Sequence, residues 1–258
     1  MHATDVLHGV HWVLGLDTIA TQTSPLELLS AYVAAIIHGK LLSEVSLRCF
    51  HLTEVNSAKD YDHPGVNNNF LINSRHPKSV LYNDRSILEN HHAASAFAVM
   101  SEPQNNFLEN LSPADYKTLR ATVIDMVLAT DLAHHFAILS SFKAKMAARN
   151  FDWRSVTDDR KLLFQLAIKM GDVSNPAKPW YLYSKWVDRI FEEFFNQGDK
   201  ERELGLPISP FMDRTNCNFA NCQLSFIDFI VSPLFDAFNT LIPIPTILEY
   251  MKQNRSRW

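Results

Sequence analysis

A chain of 258 residues with 47% apolar content can bury one sizeable core, and its formal net charge of −4 gives no basic footprint for nucleic acid. Seven glycines and no run of alternating β-branched residues point away from sheet and towards an all-α chain. The three cysteines, Cys49, Cys217 and Cys222, have neither metal spacing nor a paired framework, which suits a reducing cytoplasm. No apolar stretch reads as a membrane span, and the first residues lack a signal-peptide pattern.

In chain order, residues 24–38 (SPLELLSAYVAAIIH) open on a strong helix start: Ser24 as cap, Pro25 at the first helical position, Glu27 closing a capping box. Residues 39–59 follow with a weak apolar pattern. His63-Pro64-Gly65 marks a loop, and Glu89 to His92 fall on a helix. Ser112-Pro113 with Asp115 repeats the start signal ahead of a helical run predicted to end near Phe136. Residues 160–171, 180–197, 218–240 and 245–253 carry the spacing of further helices, separated by Asn175-Pro176 and the Pro207–Pro210 stretch.

Histidine and aspartate gather at helix ends: His2 to Asp5, His38, Asp60 to His63, and Met170 to Asn175. Neutral imidazole with carboxylate suits a transition metal, and carboxylate with water suits magnesium or manganese. A cluster of both types can hold two unlike cations, which together activate water and neutralise a phosphate under attack. Spacing alone does not bring these stretches together, and a lone histidine is as readily a helix-capping or surface residue.

Six stretches in order carry a more specific signal. They are His2-Ala3-Thr4-Asp5-Val6; Asp60-Tyr61-Asp62-His63-Pro64-Gly65; Leu81-Tyr82-Asn83-Asp84 running into Leu88-Glu89-Asn90-His91-His92; Leu128-Ala129-Thr130-Asp131; Gly171-Asp172-Val173-Ser174-Asn175-Pro176; and Gln223-Leu224-Ser225-Phe226-Ile227-Asp228. Together they resemble the catalytic domain of class I 3′,5′-cyclic-nucleotide phosphodiesterases, from residue 2 to the C-terminus apart from 39–59. The resemblance implies an all-α, compact multi-helix bundle of the HD-type phosphohydrolase class. The implied activity is metal-dependent hydrolysis of cAMP or cGMP to the 5′-nucleotide.

Carried over by position, the resemblance implies that His2, His38, Asp60 and Asp172 bind a first metal, zinc. Asp60 would also bridge to a second, magnesium or manganese. His63, Glu89, His92 and Thr130 would orient the water that attacks phosphorus. Gln223 would read the purine edge, and Phe226 and Ile190 would clamp the ring. Tyr183, Trp186, Val187, Leu132 and Phe211 would complete the pocket wall and rim. Asn175 favours cAMP, because its amide can pair with the adenine edge.

Two departures from the family pattern stand out. His38 and Asp60 are separated by 39–59, where the family has an adjacent His-Asp pair. Gly39-Lys40 at its start and Lys59 at its end are compatible with intron boundaries, so an unspliced remnant is expected ahead of a lid or adaptor. The family's proton donor stands four residues before the first metal-binding histidine, a position that would precede Met1. Little hydrolysis by the chain as given is therefore expected, with the helices that normally come first also lacking. The alternative is a catalytically silent relative that binds nucleotide or a partner protein. Regulatory domains would lie outside this chain, and a homodimer is left open.

Overall fold

The computed structural model describes residues 2–38 and 64–258, so Asp60, His63 and 39–59 lie outside the described residues. Every regular element among those described is helical, and the contacts divide them into two units. Of the described residues, the first unit takes 2–38 together with 88–172; the second takes 64–87 and 173–258.

In the first unit, α1 (His2–Leu14), α2 (Asp17–Ala20) and α3 (Pro25–His38) are followed, later in the chain, by α6 (Ile87–Met100), α7 (Pro113–Ala129), α8 (His135–Ala147) and α9 (Thr157–Asp172). The intervening α4 (Asn68–Asn73) and α5 (Pro77–Leu81) belong to the second unit. α1 packs on α3 and α9, while α7 packs on both α3 and α9. Val6, Val10 and Val13 of α1, Ala31, Ala34 and Ala35 of α3, and Leu163, Leu166 and Ala167 of α9 supply the buried stripes. Three- and four-residue spacing places each set on one helix face, and full burial of such side chains contributes about 1.5–3 kcal/mol for each Val or Leu.

The start of α3 is fixed as its sequence dictates. The Ser24 backbone N–H donates to Glu27 Oε2 at 2.9 Å, and the Glu27 N–H donates back to Ser24 Oγ at 3.3 Å. Arg160, in the first turn of α9, donates to the same Glu27 and ties the beginnings of the two helices together. Ser112 caps α7 by accepting from the Asp115 N–H at 3.1 Å. The helical run expected to reach Phe136 instead stops at Ala129. Asp131 accepts from the Ala133 N–H at 2.9 Å, starting a 3₁₀ turn over Leu132–His134. The chain bends by 86° there before α8 begins. A side chain that caps a new turn competes with helix continuation, which the apolar spacing did not register.

The second unit contains α4, α5, a 3₁₀ turn at Asn175–Ala177, α10 (Trp180–Glu203), and the continuous run of α11 (Phe219–Phe226), a π-helical turn (Ile227–Val231) and α12 (Ser232–Leu241). α13 (Pro245–Arg255) closes it. Tyr183, Val187, Phe191 and Phe195 of α10 pack with Cys222 and Ile227, with Trp180, Cys217 and Trp258 against them. Asn254 of α13 donates to the carbonyls of Pro176 and Lys178 at 2.8 and 2.6 Å, fixing the Asn175 turn. The run Phe219–Leu241 is long and apolar enough, by length and composition, to cross a membrane, at mean hydropathy 1.3. That departs from the sequence expectation of no span-length stretch. The run carries Asp228, ion-paired to Arg255 at 2.7 Å, and the buried Gln223.

Candidate metal and nucleotide site

Three of the predicted ligands converge in the first unit. His2 stands in the first turn of α1, His38 ends α3, and Asp172 ends α9. Asp172 Oδ1 lies 3.1 Å from His2 Nε2 and 2.8 Å from His38 Nε2. One ligand atom from each residue falls within 4.8 Å of the others, the one such cluster among the described residues. The side chains of His38 and Asp172 are 15% and 18% exposed and His2 40%, so the cluster is shielded yet open on the His2 side.

The donor set fits a divalent cation on its chemistry. Two imidazole nitrogens and a carboxylate oxygen are transition-metal ligands, and three of them leave room for exogenous oxygen. Burial would raise the Asp172 carboxyl's pKa, but His38 and then His2, by charge and hydrogen bond, hold it far below the usual carboxylate range. The carboxylate is thus ionised at neutral pH, as a ligand must be.

Close helix packing sets this geometry. A Cβ built on Gly9 would stand 2.6 Å from the Gly171 Cα, and one on Gly171 would stand 2.9 Å from the Val6 carbonyl oxygen. α1 therefore crosses α9 backbone to backbone, beside Asp172.

Of the residues expected to orient water, Glu89, His92 and Thr130 also belong to this unit, and His63 lies outside the described residues. Thr130 is buried, and its hydroxyl donates to the Val127 carbonyl at 2.7 Å, leaving its oxygen lone pairs to accept. His92 is buried on α6, and Glu89 is partly buried one turn before it. Leu132, expected at the pocket wall, is 51% exposed in the 3₁₀ turn.

The expected purine-reading residues belong to the second unit. Gln223 is buried, and its Oε1 accepts from the Tyr183 hydroxyl at 2.7 Å. Trp258 Nε1 donates to the same hydroxyl at 3.1 Å. Indole can only donate, so the phenolic proton is directed to Gln223, and the amide nitrogen is left free to donate elsewhere. Burial raises the Tyr183 pKa, keeping that proton in place. Val187 is buried beside Tyr183, whereas Phe226, Ile190 and Trp186 are partly exposed. Asn175 is buried, and its Oδ1 accepts no hydrogen bond among the described residues. Phe211 takes a left-handed backbone (φ 65°) and is 42% exposed.

Trp258 and Lys169 are not among the residues expected from the sequence. No local pattern marks Trp258, whose indole N–H finds its acceptor on a tyrosine 75 residues earlier in the chain. Lys169 sits in an otherwise apolar stretch of α9, a signal that was available.

Comparison with known proteins decides the family. The 3′5′-cyclic nucleotide phosphodiesterase family matches residues 48–254. The chain belongs to that family. The matched span includes Asp60, Asp172 and Gln223 and leaves His2 and His38 outside it. Among curated relatives, the probable 3′,5′-cyclic phosphodiesterase pde-3 of Caenorhabditis elegans is 40% identical, covering 100% of this chain and 39% of the relative. The probable 3′,5′-cyclic-AMP phosphodiesterase pde-4 of the same organism is 37% identical over 99% of this chain and 36% of its own length. The human cGMP-inhibited 3′,5′-cyclic phosphodiesterase 3A is 45% identical over 93% of this chain and 23% of its length. The chain thus spans between 23% and 39% of the length of those relatives. The phosphodiesterase domain of the RhoPDE fusion protein from the choanoflagellate Salpingoeca rosetta superposes with a TM-score of 0.85 at 30% identity, covering 100% of this chain and 75% of that one.

Proposed function

We propose that this chain hydrolyses 3′,5′-cyclic nucleotides to 5′-nucleotides in a metal-dependent reaction, with cAMP favoured. The convergence of His2, His38 and Asp172 carries the reading. These three would hold a first cation, read as zinc, with Asp60 as fourth ligand and bridge to magnesium or manganese. Bound there, divalent cations supply Lewis-acid charge for the phosphodiester and acidify the attacking water. Glu89, His92, Thr130 and His63 would orient that water; Thr130, its own proton engaged with Val127, can only accept. Water adds to phosphorus, the bond from phosphorus to the 3′-oxygen breaks, and the proton ends on that oxygen.

Gln223 would donate from its amide nitrogen to an acceptor on the purine edge, with its oxygen held by Tyr183. The buried, unpartnered Asn175 Oδ1 would accept from the adenine amino group, which supports cAMP over cGMP. Phe226 and Ile190 would clamp the ring, with Val187, Trp186 and Phe211 around them. The wider kinship with HD-type phosphohydrolases rests on the same His and Asp ligand chemistry. Free thiols at Cys217 and Cys222 support a cytoplasmic location. The greater length of the curated relatives, of which this chain covers 39% or less, supports regulatory domains outside this chain.

Incubation with cAMP and manganese in ¹⁸O-labelled water tests the reaction. Slow release of 5′-AMP carrying label on phosphorus, stopped by EDTA, is expected. Release of 3′-AMP would overturn the assignment of the broken bond. Nucleotide binding with no turnover would favour the silent-relative reading.

A further inference from the structure

Lys169 is 2% exposed, and burying an ammonium in a helical core is costly without compensation. Its Nζ donates to the Ala129 carbonyl at 2.8 Å. Ala129 is the last residue of α7, so this carbonyl is one of those a helix end leaves without an intrahelical donor. A cation there also meets the negative end of the helix dipole. Lys169 stands three residues before Asp172 on α9, and Thr130 follows Ala129 directly. The bond thus joins the last turn of the helix that presents Asp172 to the last turn of the helix that presents Thr130.

The surrounding charges are unequal in sign and origin. Burial draws the Lys169 pKa down, opposed by the carboxylates of Asp172, Asp131 and Glu89, in that order. His135, at the head of α8, is fully buried with neither ring nitrogen hydrogen-bonded among the described residues. Lys169 and Lys143 add positive potential at that ring. The cation therefore faces three acids and an uncharged imidazole, all within the first unit.

We infer that Lys169 is a positioning residue for the metal site, tethering the ends of α7 and α9 so that Asp172 is held against His2 and His38. This rests on the reading of His2, His38 and Asp172 as metal ligands. Charge and position make opposite predictions. As a mere positive charge near a cation site, Lys169 would repel the metal, and its removal would tighten binding. As a tether, its removal frees the end of α9 and leaves the Ala129 carbonyl unpaired, so binding weakens.

Zinc titration calorimetry on EDTA-stripped protein separates these, with thermal melting in EDTA as the folding control. Lys169→Met keeps the length of the side chain and removes its donors and charge. It should still melt cooperatively but bind zinc at least about tenfold more weakly, a loss of about 1.4 kcal/mol. Lys169→Arg, which retains charge and donors, should restore affinity to within about threefold, a rescue that a purely volumetric role would not produce. Should Lys169→Met fail to fold, Lys169→Gln, shorter and uncharged, is expected to show the same weakening. Unchanged or tighter zinc binding in a folded Met or Gln variant overturns the tether. An unaltered chain that binds no zinc overturns the metal reading as well.

Discussion

Gly9 faces Gly171 so closely that a Cβ on the first would stand 2.6 Å from the Cα of the second. That contact lets α1 approach α9, and it is what allows His2 to reach the Asp172 carboxylate at 3.1 Å. Gly9→Leu should therefore act on the metal site from a distance. Overpacking of this kind typically costs about 1–3 kcal/mol of stability. Parting the helices should also weaken zinc binding by a larger factor than the melting temperature alone suggests. Calorimetry at a temperature where the variant is fully folded checks this, and unchanged zinc affinity would detach the helix crossing from the ligand geometry.

Gln223→Ala and Tyr183→Phe should separate base recognition from metal binding. The alanine variant loses the amide proposed to read the purine, and a buried polar group left unpaired costs about 1–3 kcal/mol. Binding of both nucleotides should fall about 5- to 100-fold with zinc content unchanged. Tyr183→Phe removes the donor that fixes Gln223 Oε1 and leaves Trp258 Nε1 without its acceptor. The amide then turns freely, so the ratio of cAMP to cGMP affinity should move towards one. Equilibrium binding of both nucleotides to each variant measures these effects.

Legibility in the sequence differs from residue to residue. Ser24, Pro25 and Glu27 announced the start of α3, because a capping box is a local arrangement that needs no tertiary partner. The break after Ala129 was not legible, because Thr130 and Asp131 sit inside an unbroken apolar pattern and the 3₁₀ turn is decided by a side-chain cap. Helix α8 went unread for the same reason. His2, His38 and Asp172 are legible as a set only through the family resemblance; their spacing along the chain gives no hint that three helix ends meet. Trp258 was invisible as a functional residue because its role depends on the buried tyrosine it donates to.

His135 predicts an acid-sensitive fold. Burial, with Lys169 and Lys143, lowers its pKa to about 4. An unfolded histidine titrates near 6.5, so between those values the unfolded chain binds the extra proton. Stability should be full above about pH 6.5, fall as pH drops, and have lost about 2–3 kcal/mol from this group by pH 4. The lowered pKa of Asp172 acts only below the ordinary carboxylate range, so the two windows are distinct. His135→Phe should flatten the decline between pH 6.5 and 4 in urea melts. An identical slope in the variant would remove His135 as the cause.

Metal content after zinc loading and desalting is the direct test of whether His2, His38 and Asp172 hold a divalent cation. The unaltered chain should retain at least about one zinc per molecule, because two imidazoles and an ionised carboxylate already converge. Asp172→Ala should retain close to none while keeping a cooperative melt, because it removes the one anionic ligand of the cluster. Equal zinc in the two proteins would contradict the assignment of these residues as the metal site.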